Sequence, residues 1–96
     1  MEAKNSRSPT VNQFATIMED NQQVAFMILQ GYKVIPWRDT DDPQHILFEI
    51  VCSPEEADAE MAKYFSNVTV GITDYINCLK SVKSQMYAMK KNIKKN

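Results

Sequence analysis

Glycine is nearly missing from this sequence. It occurs only as Gly31 and Gly71 in 96 residues, so no glycine-rich loop exists to cradle a phosphate. Histidine occurs once, as His45, which removes most arrangements in which an imidazole activates a serine or cysteine. A pair of His45 with Cys52 or Cys78 stays open on spacing alone, with nothing further in its support. The two cysteines are too few for a disulfide scaffold, lack C-x-x-C spacing and sit in apolar patterns, so both are expected as reduced, buried thiols. Long hydrophobic runs are also missing. The longest, residues 24–29, falls far short of the roughly 18 to 20 residues a bilayer requires, and the N-terminus is polar where a signal peptide is apolar. No membrane partner is expected, and a cytoplasmic location is. The Asn67-Val68-Thr69 sequon then has no use.

What is present is the makeup of one globular domain, 44% hydrophobic and 24% charged, with a length that suits a single core. The net charge of -1 hides an uneven distribution. Residues 19–74 carry eleven acidic side chains against Lys33, Arg38 and Lys63, a balance of -8, whereas residues 75–96 carry six lysines and no acid.

Residues 1–12 lack apolar periodicity and read as an arm preceding a domain of residues 13–88, with a lysine-rich helix end at 89–96. The alternation Phe14, Thr16, Met18 suits a short strand. Asp20, with Gln23 three residues on, has the form of a capping box and starts a first helix that is apolar almost all round at 24–29, with Gly31 as its exit. Strands are expected at 32–37 and 46–52, paired as an antiparallel hairpin across an Asp-rich loop containing Pro43. Ser53, Pro54 and Glu56 are the strongest helix start in the chain. The buried stripe of this second helix is read as Ala57, Met61, Tyr64, Phe65 and Val68, with Asn67 as its end. A third helix over about 73–93 carries Ile72, Tyr75, Leu79, Val82, Met86, Met89 and Ile93 at alternating spacings of 3 and 4, a sustained heptad seam. The fold class that follows is α+β: a small three-stranded sheet, antiparallel or mixed, with helices packed on it in the order β-α-β-β-α-α. A helix of that length spans roughly 31 Å, so its distal part is expected to project beyond the body.

Few residues suggest chemistry. Asp39, Asp41, Asp42 and His45 come closest to a metal-ligand cluster, but they lack the glycine and distal glutamate of a calcium loop and read as a solvated turn. Glu55 and Glu56 are accounted for by a helix start. No cofactor, metal or catalytic residue is assigned, and the chain is expected to act without catalysis. The candidate contacts for a partner are Met86, Met89 and Ile93 on the distal seam, Lys90, Lys91, Lys94 and Lys95 around it, and Trp37 on the hairpin, where an aromatic is more often core than interface anchor.

The pattern resembles a family of short domains of unknown function found in bacteria, archaea and their viruses or other mobile elements. The resemblance covers roughly residues 14–87. It is carried by Phe14 and Thr16 before Asp20, by Ala25, Leu29, Gly31 and Tyr32, by Phe48, by Tyr64 and Phe65, and by Tyr75, Leu79 and Lys80. The chain departs from the family in its lengthened lysine-rich end and in Leu47-Phe48-Glu49-Ile50, which lacks the usual second aromatic. The resemblance implies a viral or mobile-element origin, with the host cytoplasm or the virion as its location, and supplies no catalytic residues.

A protein partner is therefore the leading expectation, a second copy of the chain or a virion component among them. Two uses of the seam stay open: packing on the chain's own sheet, or self-association through the distal half. Lys83 and Lys90 at the e positions meet no acid at the g positions, so a tight, specific coiled-coil dimer is not encoded. Nucleic acid bound through the lysines is the first alternative, opposed by the acidic body. The second is an acidic inhibitor of a host defence enzyme, using that body as a nucleic-acid mimic.

Overall fold

The computed structural model describes residues 15–94, with the side chains of residues 92–94 left aside. The arm at 1–12, Phe14, Lys95 and the side chains of Ile93 and Lys94 lie outside what it describes. The elements are β1 (Thr16–Met18), α1 (Asn21–Leu29), β2 (Val34–Arg38), β3 (Ile46–Ile50), α2 (Pro54–Phe65) and α3 (Ile72–Lys94). They form an α+β fold with an antiparallel sheet in the order β1-β3-β2.

The helix ends follow from local chemistry. Asp20 accepts hydrogen bonds from the Gln22 and Gln23 amides at the start of α1, and Ser53 and Glu56 form a reciprocal capping box on α2. Both helices close in the same way. Gly31, at φ +99°, lets Tyr32 N–H reach the Met27 carbonyl and Gly31 N–H the Ile28 carbonyl. Asn67, at φ 65°, does the same for α2, with Val68 N–H donating to Lys63 and Asn67 N–H to Tyr64.

The sheet register divides its side chains into two faces. Thr16 and Val34 flank Ile50, Met18 and Pro36 flank Phe48, and Arg38 lies opposite Ile46, so these residues share the face that meets the helices. Phe48 and Ile50 are fully buried there against Val24, Met27 and Val82. Four successive residues of α1, Val24–Met27, are buried, because α3 packs along one side of that helix while Tyr64 of α2 stacks edge-on against Phe26 on another, at 5.7 Å. The shortest dimension of the molecule, 18 Å, corresponds to one sheet and one helical layer.

Three expectations are corrected. Phe65 and Val68 belong to no buried stripe: Phe65 is 72% exposed, and the inward position on α2 goes instead to Glu60. Ile72, the first residue of the expected seam, is 71% exposed, since Tyr75 is the first of that stripe to pack on the core. The third helix does not leave the body at Met86. Met86 and Met89 both pack against the core, and Arg38 Nη2 donates to the Met89 carbonyl at 3.1 Å, tying the distal helix to the sheet.

Candidate functional site

The clearest candidate lies where α2 hands over to α3. The Asn67 turn ends α2 just after Phe65 and sends residues 66–71 along the surface, leaving Phe65, Val68, Val70, Ile72 and Ile76 as exposed apolar side chains. Phe26, Tyr64, Phe65, Val68, Val70 and Tyr75 line a hollow of about 430 Å³, and Ile72 and Ile76 flank Tyr75 on α3. Two contacts orient its walls. Tyr64 meets Phe65 edge-on at 5.1 Å, and the Tyr75 hydroxyl donates to the Gln22 carbonyl at 2.9 Å. Scattered single apolar residues are normal on a surface, whereas a cluster of them beside an aromatic pocket has the composition of a docking site.

The residues singled out from the sequence are distributed differently. Met86 and Met89 turn inward, as described above. Lys90 is half-buried and Lys91 exposed, and with Gln44 and the 65% exposed Tyr87 they line a shallow hollow of about 380 Å³. Trp37 lies on the sheet face away from the helices, where its Nε1 donates to Glu49 Oε1 at 2.8 Å. It also borders a hollow of about 600 Å³ with Arg38, Asp39, Pro43 and Met89.

The Asp-rich loop is organised by its own backbone. Asp39 accepts from the Asp41 amide and Asp42 from the Gln44 amide. His45 is gripped between carboxylates, Nδ1 against Asp39 at 3.0 Å and Nε2 against Glu19 at 3.2 Å. The Asp39 hydrogen bond raises the imidazole pKa above its ordinary value, with Glu19 adding to it, and Asp39 is held below the usual carboxylate range by the Asp41 amide and His45. Both ring nitrogens are engaged, and among the described residues no three ligating side chains converge as a metal ion requires.

Glu60 is the polar centre that sequence reasoning missed. Its carboxylate accepts from Gln30 Nε2 at 2.9 Å and from the Tyr32 hydroxyl at 3.1 Å, and Lys63 Nζ lies 3.4 Å away. The Gln30 amide leads in holding its pKa down. The signal was present in its position, three residues after Ala57 and four before Tyr64, squarely on the inward stripe of α2. Cys52 is buried and Cys78 half-buried, unpaired, and burial raises both thiol pKa values.

Among the described residues no helix is long and apolar enough to cross a membrane. Compared with models of known families, with curated proteins and with solved structures, the chain finds no match, and its arrangement of sites has to be read from its own geometry.

Proposed function

We propose that the chain is a small non-catalytic interaction module, and that it binds a partner protein through the apolar surface at the α2–α3 junction. The observation that carries this reading is the exposure of Phe65 and Ile72 beside a preformed aromatic hollow. An apolar or aromatic side chain of the partner enters between Phe65, Tyr64 and Tyr75, and the neighbouring Val68 and Val70 exclude water from the contact. The resemblance noted in the sequence is the ground for assigning such a module to a virus or mobile element, acting in the host cytoplasm or in a virion. The test is a photo-crosslinking amino acid placed at position 65 in the full chain. One defined protein should be captured, and Ile72→Ser together with Val68→Ser should abolish its capture while the circular dichroism spectrum is retained. Capture that survives both changes sinks the reading.

A second reading has its own observation. Tyr87 stands exposed on α3 with Lys83 one turn before it and Lys90 and Lys91 one turn after, so an aromatic ring is framed by cations on one helix face. That is the composition of a stacking platform for single-stranded nucleic acid. Its affinity would fall steeply with salt and on Tyr87→Ala. Absence of binding to single-stranded DNA and RNA at low salt removes it.

A further inference from the structure

The face of the sheet turned away from the helices is too apolar to be a solvated surface. Antiparallel sheets with one wet side alternate apolar inward and polar outward. Here Ile17, Ile35, Trp37 and Leu47 all point outward around Glu49, and none of them packs against the core. No described helix lies over them. Among the described residues no layer covers this face, and the question is what supplies one.

The sheet edges narrow the answer. The amide of Val51 donates to the Lys33 carbonyl and that of Asp39 to the His45 carbonyl, so the odd-numbered residues of β2 form its hydrogen-bonded pairs with β3. Pro36 therefore faces the free edge, where it has no N–H to offer, and the opposite edge strand β1 is only three residues long. Growth of the sheet by strand addition is blocked at the first edge and barely supported at the second. Contact through the face remains.

The ends of that face carry opposite charge. Lys33 lies at one end, and Glu19 and Asp39 bracket His45 at the other, which keeps that corner acidic whether or not His45 is protonated. We infer that two copies of the chain stack sheet on sheet about a two-fold axis perpendicular to the strands. Each Lys33 then meets Asp39 of the partner subunit, and Trp37 packs over the partner's Ile35. Glu49 enters this interface with its carboxylate already hydrogen-bonded by Trp37. A three-stranded face about 15 Å wide and 20 Å long is at the small end for protein interfaces, so the dimer is reversible and concentration-dependent. This surface is separate from the α2–α3 junction, and the inference stands or falls independently of the proposed function.

Sedimentation equilibrium of the full chain from about 10 µM to about 1 mM tests it. A monomer–dimer equilibrium is expected. Leu47→Asp should shift it to monomer with the fold retained by circular dichroism, and Ile35→Thr, which keeps strand propensity, should weaken association at least tenfold. Lys33→Glu should also weaken it, and added salt should partly restore that variant while weakening the wild type. A chain that is monomeric throughout this range, as when residues 1–14 occupy the face, overturns the inference. So does a dimer indifferent to Leu47→Asp and Ile35→Thr.

Discussion

Arg38 and Met89, fifty-one positions apart, are joined by a hydrogen bond from the guanidinium to a main-chain carbonyl. The carbonyl lies five residues before the last helical position, where the backbone dipoles of α3 favour a cation. Arg38→Met keeps much of the aliphatic packing and removes the bond. We expect a loss of about 1 to 3 kcal/mol in denaturant unfolding, with faster hydrogen exchange confined to the amides that follow Met86. Uniformly faster exchange along α3 would contradict the idea that this bond pins the distal turns.

Glu60 ties α2 to the exit of α1. Glu60→Ala leaves the Gln30 amide and the Tyr32 hydroxyl without their acceptor and should cost about 1 to 3 kcal/mol, whereas Glu60→Gln, which keeps one carbonyl oxygen in place, should cost less. Equal losses in the two variants would show that packing, and not the acceptor, matters at this position.

The His45 clamp sets a pH dependence with a definite sign. A histidine whose pKa is raised on folding contributes stability that is complete below its unfolded value, near 6.5, and is lost as pH rises through the folded value. Asp39, lowered from 3.8, contributes above that value and loses its contribution as pH falls through the folded one. Melting temperature should therefore decline from about pH 6 to about pH 8 in the wild type, and His45→Asn should flatten that slope. An NMR titration placing the His45 pKa at or below 6.5 would remove the cause.

Surface and core should separate cleanly at the α2–α3 junction. Phe65→Ser and Ile72→Ser are expected to change stability by no more than about 0.5 kcal/mol, because both side chains are largely in water, while Phe48→Ala should cost about 3 to 5 kcal/mol. Chemical denaturation of the three variants reads both effects.

Much of this architecture was legible in the sequence, for local reasons. Asp20, Ser53, Glu56, Gly31 and Asn67 act on their immediate neighbours, so the chain itself states where α1 and α2 begin and end. The alternation of Ile46, Phe48 and Ile50 gave β3 its inner face. Periodicity could not say how far along a stripe the covering element reaches. Ile72 and Phe65 continue their helical patterns and yet stand past the edge of α1, whereas Met89 continues its own pattern and finds the sheet. Pairing of β1 with β3 depends on residues thirty or more positions apart, which no local signal encodes. Neither Phe65 nor Ile72 is marked by the sequence as part of the proposed docking surface, because apolar residues at helical spacing read as core.

The enclosure of α1 also has a kinetic side. Val24–Met27 are covered on one side by a helix whose Tyr75 bonds back to Gln22 across 53 positions, so their burial stays incomplete until that helix is made. During synthesis these four side chains remain in contact with solvent until α3 has left the ribosome, and at about 5 to 20 residues per second that interval lasts several seconds. Contacts this distant also slow folding relative to helical bundles of the same size. The nascent protein is accordingly aggregation-prone until α3 has been made, and substitutions that weaken α3 should lower soluble yield before they measurably lower the melting temperature.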